Sequence, residues 1–400
     1  NLETEELRKW AKAYNVNKKV DERDALLEEL EPFADGILDP LRPANLPLEM
    51  PKFTLKDIRD AIPKHCFERN LLTSFSHLFS DLAIIATFGY LATFINSPLV
   101  PVWSRYLLWP IYWYAQGSVM TGVWVLSHEC GHQAFSDYEW VNNTVGTIFH
   151  SLLLVPYHSW RITHGLHHNN TGSCENDEVF CPAKKSDFAK DMIKETPIMY
   201  AFMIVRMLTV GWMPGYLIFN ATGPEKYRGK NANHFSPTAA FFKPEEYSLI
   251  VQTDIAFFMA VGLLAYCIYT FGFINVGNFY LIPYMIVNYH LVLITYLQHT
   301  DVYMPHFRGP EWNWLRGALC TVDRSFGPVL DHTLHHITDT HVCHHIFSKM
   351  PFYHAQEATQ YIKKTLGSYY LKDDTPIAHA LWRSFTCCRY IDNEGNIVFY

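Results

Sequence analysis

His341-Val342-Cys343-His344-His345 is the stretch that decides how the rest of the chain is interpreted, because its H-x-x-H-H spacing recurs at His164-Gly165-Leu166-His167-His168. A pair of histidines precedes both motifs, at His128 and His132. With 21 histidines in 400 residues, random placement gives about 0.06 matches to H-x-x-H-H per chain and about one match to H-x-x-x-H. The two repeated motifs therefore stand out, and the first pair gains weight from its place beside them.

The spacing within these motifs suits metal binding. Residues three and four apart lie on one face of a helix, so His341 can converge with both His344 and His345. Neutral imidazole binds iron, zinc, copper or nickel, and eight nitrogens exceed the four ligands of a tetrahedral zinc site. We therefore predict two neighbouring metal ions, against the alternative of ordinary surface or core histidines. The eight candidate ligands are His128, His132, His164, His167, His168, His341, His344 and His345.

The composition indicates that lipid is part of the solvent of this protein. Hydrophobic residues make up 49% of the chain and charged residues only 18%, which is unusual for soluble domains. A net charge of −7 offers no basic surface for nucleic acid, so we expect no such partner. The nine cysteines are scattered without a C-x-x-C pair, which favours reduced thiols facing the cytosol over a disulfide framework or a zinc ribbon.

Several apolar segments are candidates for the membrane. A transmembrane helix needs about 20 apolar residues, and the predicted spans are 78–100, 106–127, 250–274 and 279–297. Segments 145–157 and 198–220 are predicted to lie in the membrane interface instead. The first is too short to cross, and the second carries Arg206 and several glycine and proline residues, which are costly in a lipid-exposed helix. With this assignment, the chain crosses the membrane an even number of times between successive histidine motifs. All three motifs therefore lie on the same side.

The resulting fold prediction is an all-α integral membrane protein. Four transmembrane helices and the interfacial helices support a cytosolic helical cap that carries the histidines. Residues 1–51 form a cytosolic arm, residues 52–372 the membrane-bound domain and residues 373–400 a cytosolic tail. Lysines and arginines are concentrated in loops that this topology places in the cytosol, as expected for the cytoplasmic side. Within the domain, Thr54 and Asp57 predict a capping box that opens a short helix through Ala61.

The motifs and their flanks resemble the membrane-bound fatty acyl desaturases, whose hallmark is one H-x-x-x-H and two H-x-x-H-H histidine boxes. The order, the spacing and the neighbouring apolar segments all agree. The similarity is greatest to the methyl-end branch, the delta-12 (omega-6) and omega-3 enzymes. It covers roughly residues 50 to 372 and rests on residues 124–132, 158–164 and 337–345, with 64–69 and 367–370 as further matches.

The resemblance implies a di-iron centre that uses O2 and two electrons to introduce a cis double bond into an acyl chain. It implies no catalytic side chain beyond the metal ligands. Iron agrees with elementary chemistry, because zinc has no redox chemistry and hydrogen abstraction from a saturated carbon needs an oxidisable metal. The family also uses a histidine just past the last span, and His299 occupies that place. Relatives of the acyl-CoA branch carry an asparagine four residues earlier, where this chain has Thr295.

Four further side chains are candidates for orienting the ligand imidazoles through hydrogen bonds to their second nitrogen, as is common around metal sites. They are Glu129, Asp301, His336 and Asp339. The alternative is that these groups are solvated charges on helix surfaces.

The expected substrate is an acyl chain carried by a phospholipid or by CoA. Glu129 in box one and the small Cys343 in box three favour delta-12 desaturation, from oleoyl to linoleoyl. Omega-3 desaturation, or an acyl hydroxylase, epoxygenase or acetylenase on the same framework, is the alternative. The sequence has no His-Pro-Gly-Gly haem signature, so electrons are expected from a separate cytochrome b5 and its reductase at the endoplasmic reticulum membrane. A metal-binding transporter would instead place ionisable residues inside the spans.

Overall fold

The computed structural model describes residues 47–187 and 196–400, so residues 1–46 of the predicted arm lie outside the described residues. The described chain is mostly helical, as predicted, with one short antiparallel ladder between β1 (His306–Phe307) and β2 (Ile397–Val398). The α-helices are α1 (Leu55–Ala61), α2 (Leu71–Ala92), α3 (Val102–Gly131), α4 (Glu139–Leu152), α5 (Tyr157–Asn170), α6 (Pro197–Val210), α7 (Tyr247–Phe271), α8 (Phe273–Val276), α9 (Ile282–His299), α10 (Trp314–Ala318), α11 (Pro328–Thr333), α12 (His341–Ile346), α13 (Phe352–Leu366) and α14 (Ile377–Cys387).

Helices α2 and α3 form an antiparallel hairpin that returns the chain to the side it left. Trp109 Nε1 donates to Asn96 Oδ1 near the turn, and at the other end Ser74 Oγ donates to the Phe135 carbonyl. Helix α2 begins where the Asn70 side chain accepts from a backbone amide of the first turn, which satisfies one of the free donors of a helix N-terminus. The last turn of α3 carries His128, and His132 is the residue that follows the helix, so the hairpin delivers box one to the candidate metal centre.

Four helical stretches among the described residues are long and apolar enough to cross a membrane: Leu71–Ala92, Pro197–Tyr216, Pro244–Phe271 and Phe273–His299. Three of them overlap the predicted spans 78–100, 250–274 and 279–297. The fourth falls in the segment predicted to be interfacial. Helix α3, over predicted span 106–127, is not among the four; it is rich in tryptophan and tyrosine, residues that prefer membrane interfaces. The number of membrane-length apolar helices therefore agrees with the prediction, but one of the four is not a predicted span.

The stretch Pro197–Tyr216 is interrupted within its length. Helix α6 ends at Val210, and Gly211–Tyr216 forms a π-type turn in which Met213 has a non-helical backbone. Three apolar stretches separate box two from box three, and the structure brings these two boxes together. If all three crossed the membrane, the boxes would lie on opposite faces. This parity favours the predicted interfacial placement of 198–220, which stays a prediction.

A helical cap around α12 and α13 supports box three. The predicted capping box is confirmed: Thr54 and Asp57 exchange hydrogen bonds at the start of α1, which ends at Ala61. Ile58 of α1 is buried in one apolar cluster with Val342 of α12 and Ile362 of α13. Residues 373–400 contain α14 and β2, and the pairing of β2 with β1 packs this segment against the domain.

Candidate metal centre

All nine predicted histidine ligands converge on one region of the fold. Seven are buried and two, His132 and His164, are partly buried. Box one lies at the end of α3, box two on α5, His299 at the end of α9 and box three on α12. Segments that are up to 217 residues apart in the sequence therefore share one site, from His128 to His345.

The nine imidazoles divide into two groups. The first group is His128, His132, His164, His168 and His344, whose ligand nitrogens lie within 4.8 Å of one another. The second contains His167, His299 and His345 under the same limit, and the Nε2 atoms of His341 and His299 are 3.0 Å apart. Neighbours in the sequence go to different groups, His167 and His168 in box two and His344 and His345 in box three. This is the divergence that the H-x-x-H-H spacing predicts for two metal ions.

The separations between nitrogens fit shared metal ions. His164 Nε2 lies 3.0 Å from His128 Nε2 and 3.1 Å from His168 Nε2. Two nitrogens each about 2.1 Å from one metal ion lie about 3.0 Å apart at a right angle and about 3.4 Å apart at a tetrahedral angle. The Nε2 atoms of His344 and His345 are buried without a hydrogen-bond partner among the described residues. Such atoms are costly in a protein interior, and a metal ion would satisfy them.

Burial favours the neutral form of several imidazoles of the centre, because it lowers their pKa values. It lowers the pKa of His132 to about 3, with nearby His167 adding to the effect. It also lowers the pKa values of His164 and His168 well below the ordinary value, and other histidines of the centre contribute. A neutral imidazole has a free lone pair, so metal binding at neutral pH displaces no proton from these rings.

A carboxylate that the sequence analysis missed is hydrogen-bonded to one of the predicted ligands. Asp177 Oδ1 accepts from His167 Nδ1 at 2.8 Å, and both side chains are buried. The same oxygen accepts from the backbone amides of Val179 and Phe180, which fixes the carboxylate. A hydrogen bond at Nδ1 leaves Nε2 as the metal-binding nitrogen. Asp177 lies in a loop nine residues after box two, where only its place in a short acidic segment could have drawn attention to it.

Glu129, which the sequence analysis proposed as a partner of a ligand imidazole, lies beside two of the predicted ligands. Its Oε1 atom is 3.2 Å from His128 Nδ1 and 3.7 Å from His344 Nδ1. One buried carboxylate therefore faces the outer nitrogens of two ligands in the first group. Those two ligands come from box one and box three, so Glu129 also links the end of α3 to α12.

His336 and Asp339 pair with each other, His336 Nδ1 lying 3.0 Å from Asp339 Oδ1, and Gln356 Nε2 joins the same nitrogen. Both side chains are partly exposed. The His336 backbone has a positive φ of 61°, so a turn precedes box three. The predicted role of His336 and Asp339 in orienting a ligand gains no support from these contacts.

The expectation for Asp301 is corrected. Its carboxylate accepts from Arg324 and Arg383 and from the amide of Val302, and Asp373 accepts from the same two arginines. A guanidinium offers several donors in one plane, so the two carboxylates and two arginines form a closed network. Because Asp301 follows the end of α9 and Asp373 begins the C-terminal segment, this network fixes the chain next to His299 without contacting its imidazole.

An apolar cavity adjoins the centre. His128 and His164 of the first group and His167, His299 and His341 of the second group line one side of it. Most of the remaining wall is apolar and aromatic: Trp124, Trp160, Phe180, Met207, Trp212, Leu291 and Ile294. Thr295 also lines it. An apolar ligand suits such a wall, and both histidine groups face the same space.

A helical fold with long apolar helices, and nine clustered histidines that could hold metal ions beside an apolar cavity, is that of a membrane protein with a candidate metal centre. The family profile described as "Fatty acid desaturase" matches residues 101–376. The chain is 46% identical over 372 residues to a protein named "Delta(12) fatty acid desaturase" from Mortierella isabellina, covering 88% of this chain and 91% of that protein. This chain belongs to the fatty acid desaturase family and is therefore an oxidoreductase.

Two plant relatives are named for different activities. A protein from Brassica juncea named "Omega-6 fatty acid desaturase, endoplasmic reticulum" is 47% identical over 358 residues, which cover 87% of this chain and 90% of that protein. A protein from Impatiens balsamina named "Delta(12) acyl-lipid conjugase (11E,13E-forming)" is 45% identical over 352 residues, again with 87% and 90% coverage. Relatives with nearly the same identity to this chain are thus named for two different enzyme activities.

Proposed function

We propose that this protein is a delta-12 desaturase that converts an oleoyl chain to a linoleoyl chain with O2 as the oxidant. The observation that carries the proposal is that both histidine groups line one apolar cavity. A methylene group of a chain in that cavity would lie beside both groups at once. The relatives named for delta-12 activity, at 46% identity over most of the chain, support the position of the new double bond.

We further propose that the centre holds two iron ions, one in each histidine group. When bound, iron supplies the oxidising chemistry that hydrogen removal from an unactivated carbon requires. The side chains around the centre position the imidazoles and exclude water. Trp160 stacks on His164, with ring centroids 4.5 Å apart, and Trp124 stacks on His128. These tryptophans hold the imidazoles in place and present an apolar face to the cavity, which excludes water from the reacting chain.

The product test is direct. Yeast that makes oleate but no linoleate is transformed with this protein, and fatty acid double bonds are located by gas chromatography with mass spectrometry. We expect a new diene with double bonds at carbons 9 and 12. A conjugated, hydroxylated, epoxidised or acetylenic product would contradict delta-12 desaturation. A new product formed only when linoleate is supplied would identify an omega-3 enzyme instead.

The electrons, we propose, come from a separate cytochrome b5 and its reductase, with the enzyme in the endoplasmic reticulum membrane and both termini and the metal centre facing the cytosol. The name of one relative specifies this membrane. The basic residues Lys184, Lys226 and Lys243 lie between box two and the next predicted span, in a region that this topology places in the cytosol, as expected for basic residues. The acyl chain is carried either by a phospholipid or by CoA. Supplying each labelled substrate to isolated microsomes distinguishes these two carriers.

The orientation predicts which exposed positions an impermeant reagent reaches. Glu394 near the C-terminus and Asn275 between α7 and α9 are both exposed. In sealed microsomes, with the exposed Cys387 replaced by serine, we expect a membrane-impermeant maleimide to label Glu394→Cys at once and Asn275→Cys only after detergent is added. Labelling in the reverse order would contradict the proposed topology.

A further inference from the structure

A second group of metal-binding side chains lies outside the nine-histidine centre. His65 and Cys66 are in the 3-10 turn Lys64–Phe67, and they face His354 and Glu357 of α13. One ligand atom from each of the four side chains lies within 4.8 Å of the others. His354 and Glu357 are three residues apart on a helix and so share one face. The four groups come from two segments that are nearly 300 residues apart in the sequence.

The distances suit a small metal ion. Cys66 Sγ lies 3.7 Å from His65 Nε2. Zinc bonds of about 2.3 Å to sulfur and about 2.1 Å to nitrogen put these two atoms about 3.6 Å apart at a tetrahedral angle. The same nitrogen of His65 lies 3.0 Å from Glu357 Oε2, and the rings of His65 and His354 meet edge to face at 5.5 Å. A nitrogen and an oxygen that bind one zinc ion lie about 3.4 Å apart at a tetrahedral angle, which is close to the distance between His65 and Glu357.

We propose that His65, Cys66, His354 and Glu357 bind a Zn²⁺ ion that is separate from the iron centre. One thiolate, two imidazoles and one carboxylate make four ligands of the types that zinc prefers. The side chains of His65 and Glu357 are 52% and 45% exposed, so an ion has access from the solvent. Cys66 is buried and carries no disulfide, so its sulfur is available to bind.

The ion would form a Zn–Sγ bond at the expense of the S–H bond of Cys66, whose proton leaves to the solvent. Burial, with a smaller contribution from Glu357, raises the pKa of the Cys66 thiol to about 11. The thiol is therefore protonated at pH 7 until a cation displaces the proton. Without an ion, the four side chains would be only a hydrogen-bonded cluster.

The position of this site suggests what zinc would stabilise. Cys66 is packed in the apolar cluster that also contains Val342 and Ile346 of α12 and Ile362 of α13. Zinc would therefore tie the segment before α2 to the helix that supports box three. Its role would be to hold the cap in place, and none of its ligands belongs to the nine-histidine centre.

The test measures zinc and iron separately on the full-length protein purified in detergent, by mass spectrometry of the metals. We expect about one zinc per chain in addition to iron. Glu357→Gln and His354→Gln should lower the zinc affinity at least about tenfold, with the iron content unchanged. His379→Gln, the same substitution at an exposed histidine of α14, is the matched control and should leave both metals unchanged.

Cobalt titration adds a readout that is specific for the thiol. Added Co²⁺ should give a thiolate charge-transfer absorption in the wild type and in Cys387→Ser, but not in Cys66→Ser.

Equal zinc affinity in the wild type and in Glu357→Gln would overturn the proposal. So would a wild type that retains its iron but shows neither zinc nor a cobalt–thiolate absorption. Glu357 is exposed, so Glu357→Gln keeps the test decisive even if Cys66→Ser fails to fold. Product formation in yeast is a separate measurement, so failure of the zinc site and failure of the desaturase proposal are distinguishable.

Discussion

Replacing His164 by alanine is expected to abolish desaturation, with product formation falling by more than about 100-fold. Replacing a residue that only orients a metal ligand commonly lowers metal affinity or activity by about 10- to 100-fold, and loss of a ligand itself should have a larger effect. His164 Nε2 lies about 3 Å from the nitrogens of both His128 and His168, at the middle of the first group. Its loss should remove the metal of that group and leave the second group occupied. We therefore expect the iron content to fall from about two ions per chain to about one.

His345→Ala should have the same effect through the second group, because its Nε2 atom is buried without a protein partner. Iron is measured on the purified protein and product in yeast. His379→Ala, at an exposed histidine of α14, is the control for loss of a histidine as such. Full activity in His164→Ala or His345→Ala, or complete loss of iron in both, would contradict a centre of two separately held ions.

Replacing Asp177 by alanine is expected to lower activity by about 10- to 100-fold, as is typical when a carboxylate that orients a metal-bound histidine is removed. The Asp177 carboxylate accepts from His167 Nδ1 and from two backbone amides. Without it, the imidazole loses the contact that fixes its orientation and its basicity. We expect weaker binding of one iron ion, measured as faster loss of iron to a chelator, with the other ion retained.

Glu178 is the matched control, because it is the next residue and equally buried but accepts from Lys226 and Tyr227 instead of a histidine. Glu178→Ala should lower the thermal stability without accelerating iron loss from the folded protein. The assignment of Asp177 would be wrong if both variants lost iron at the same rate.

The clustering of the box histidines was predictable because their signal is local. The i, i+3 and i, i+4 relationships within each box depend only on helix geometry, and the structure places His167 and His168, or His344 and His345, in different groups as that geometry requires. The capping box at Thr54 was predictable for the same reason. His299 was different, since only the family resemblance pointed to it.

Contacts between distant segments were not predictable in this way. Asp177 and Asp301 are both acidic residues close to a predicted ligand in the sequence. Only Asp177 forms a hydrogen bond with an imidazole, because Asp301 forms ion pairs with Arg324 and Arg383. Which of them binds a histidine depends on how α5, α9 and α14 pack, and no periodicity in the chain reports that packing. The His65 and Glu357 pair is a further example, with 292 residues between its partners.

By itself, the sequence determined that this protein is helical and lipid-associated, and that it presents three histidine boxes suited to two metal ions, because segment length, apolar content and residue spacing act within one or two helical turns. Only the tertiary structure decided how nine imidazoles divide into two groups, which carboxylates orient them and which apolar residues line the cavity between them. Those features arise from long-range packing, where each contact depends on the placement of helices that are far apart in the chain.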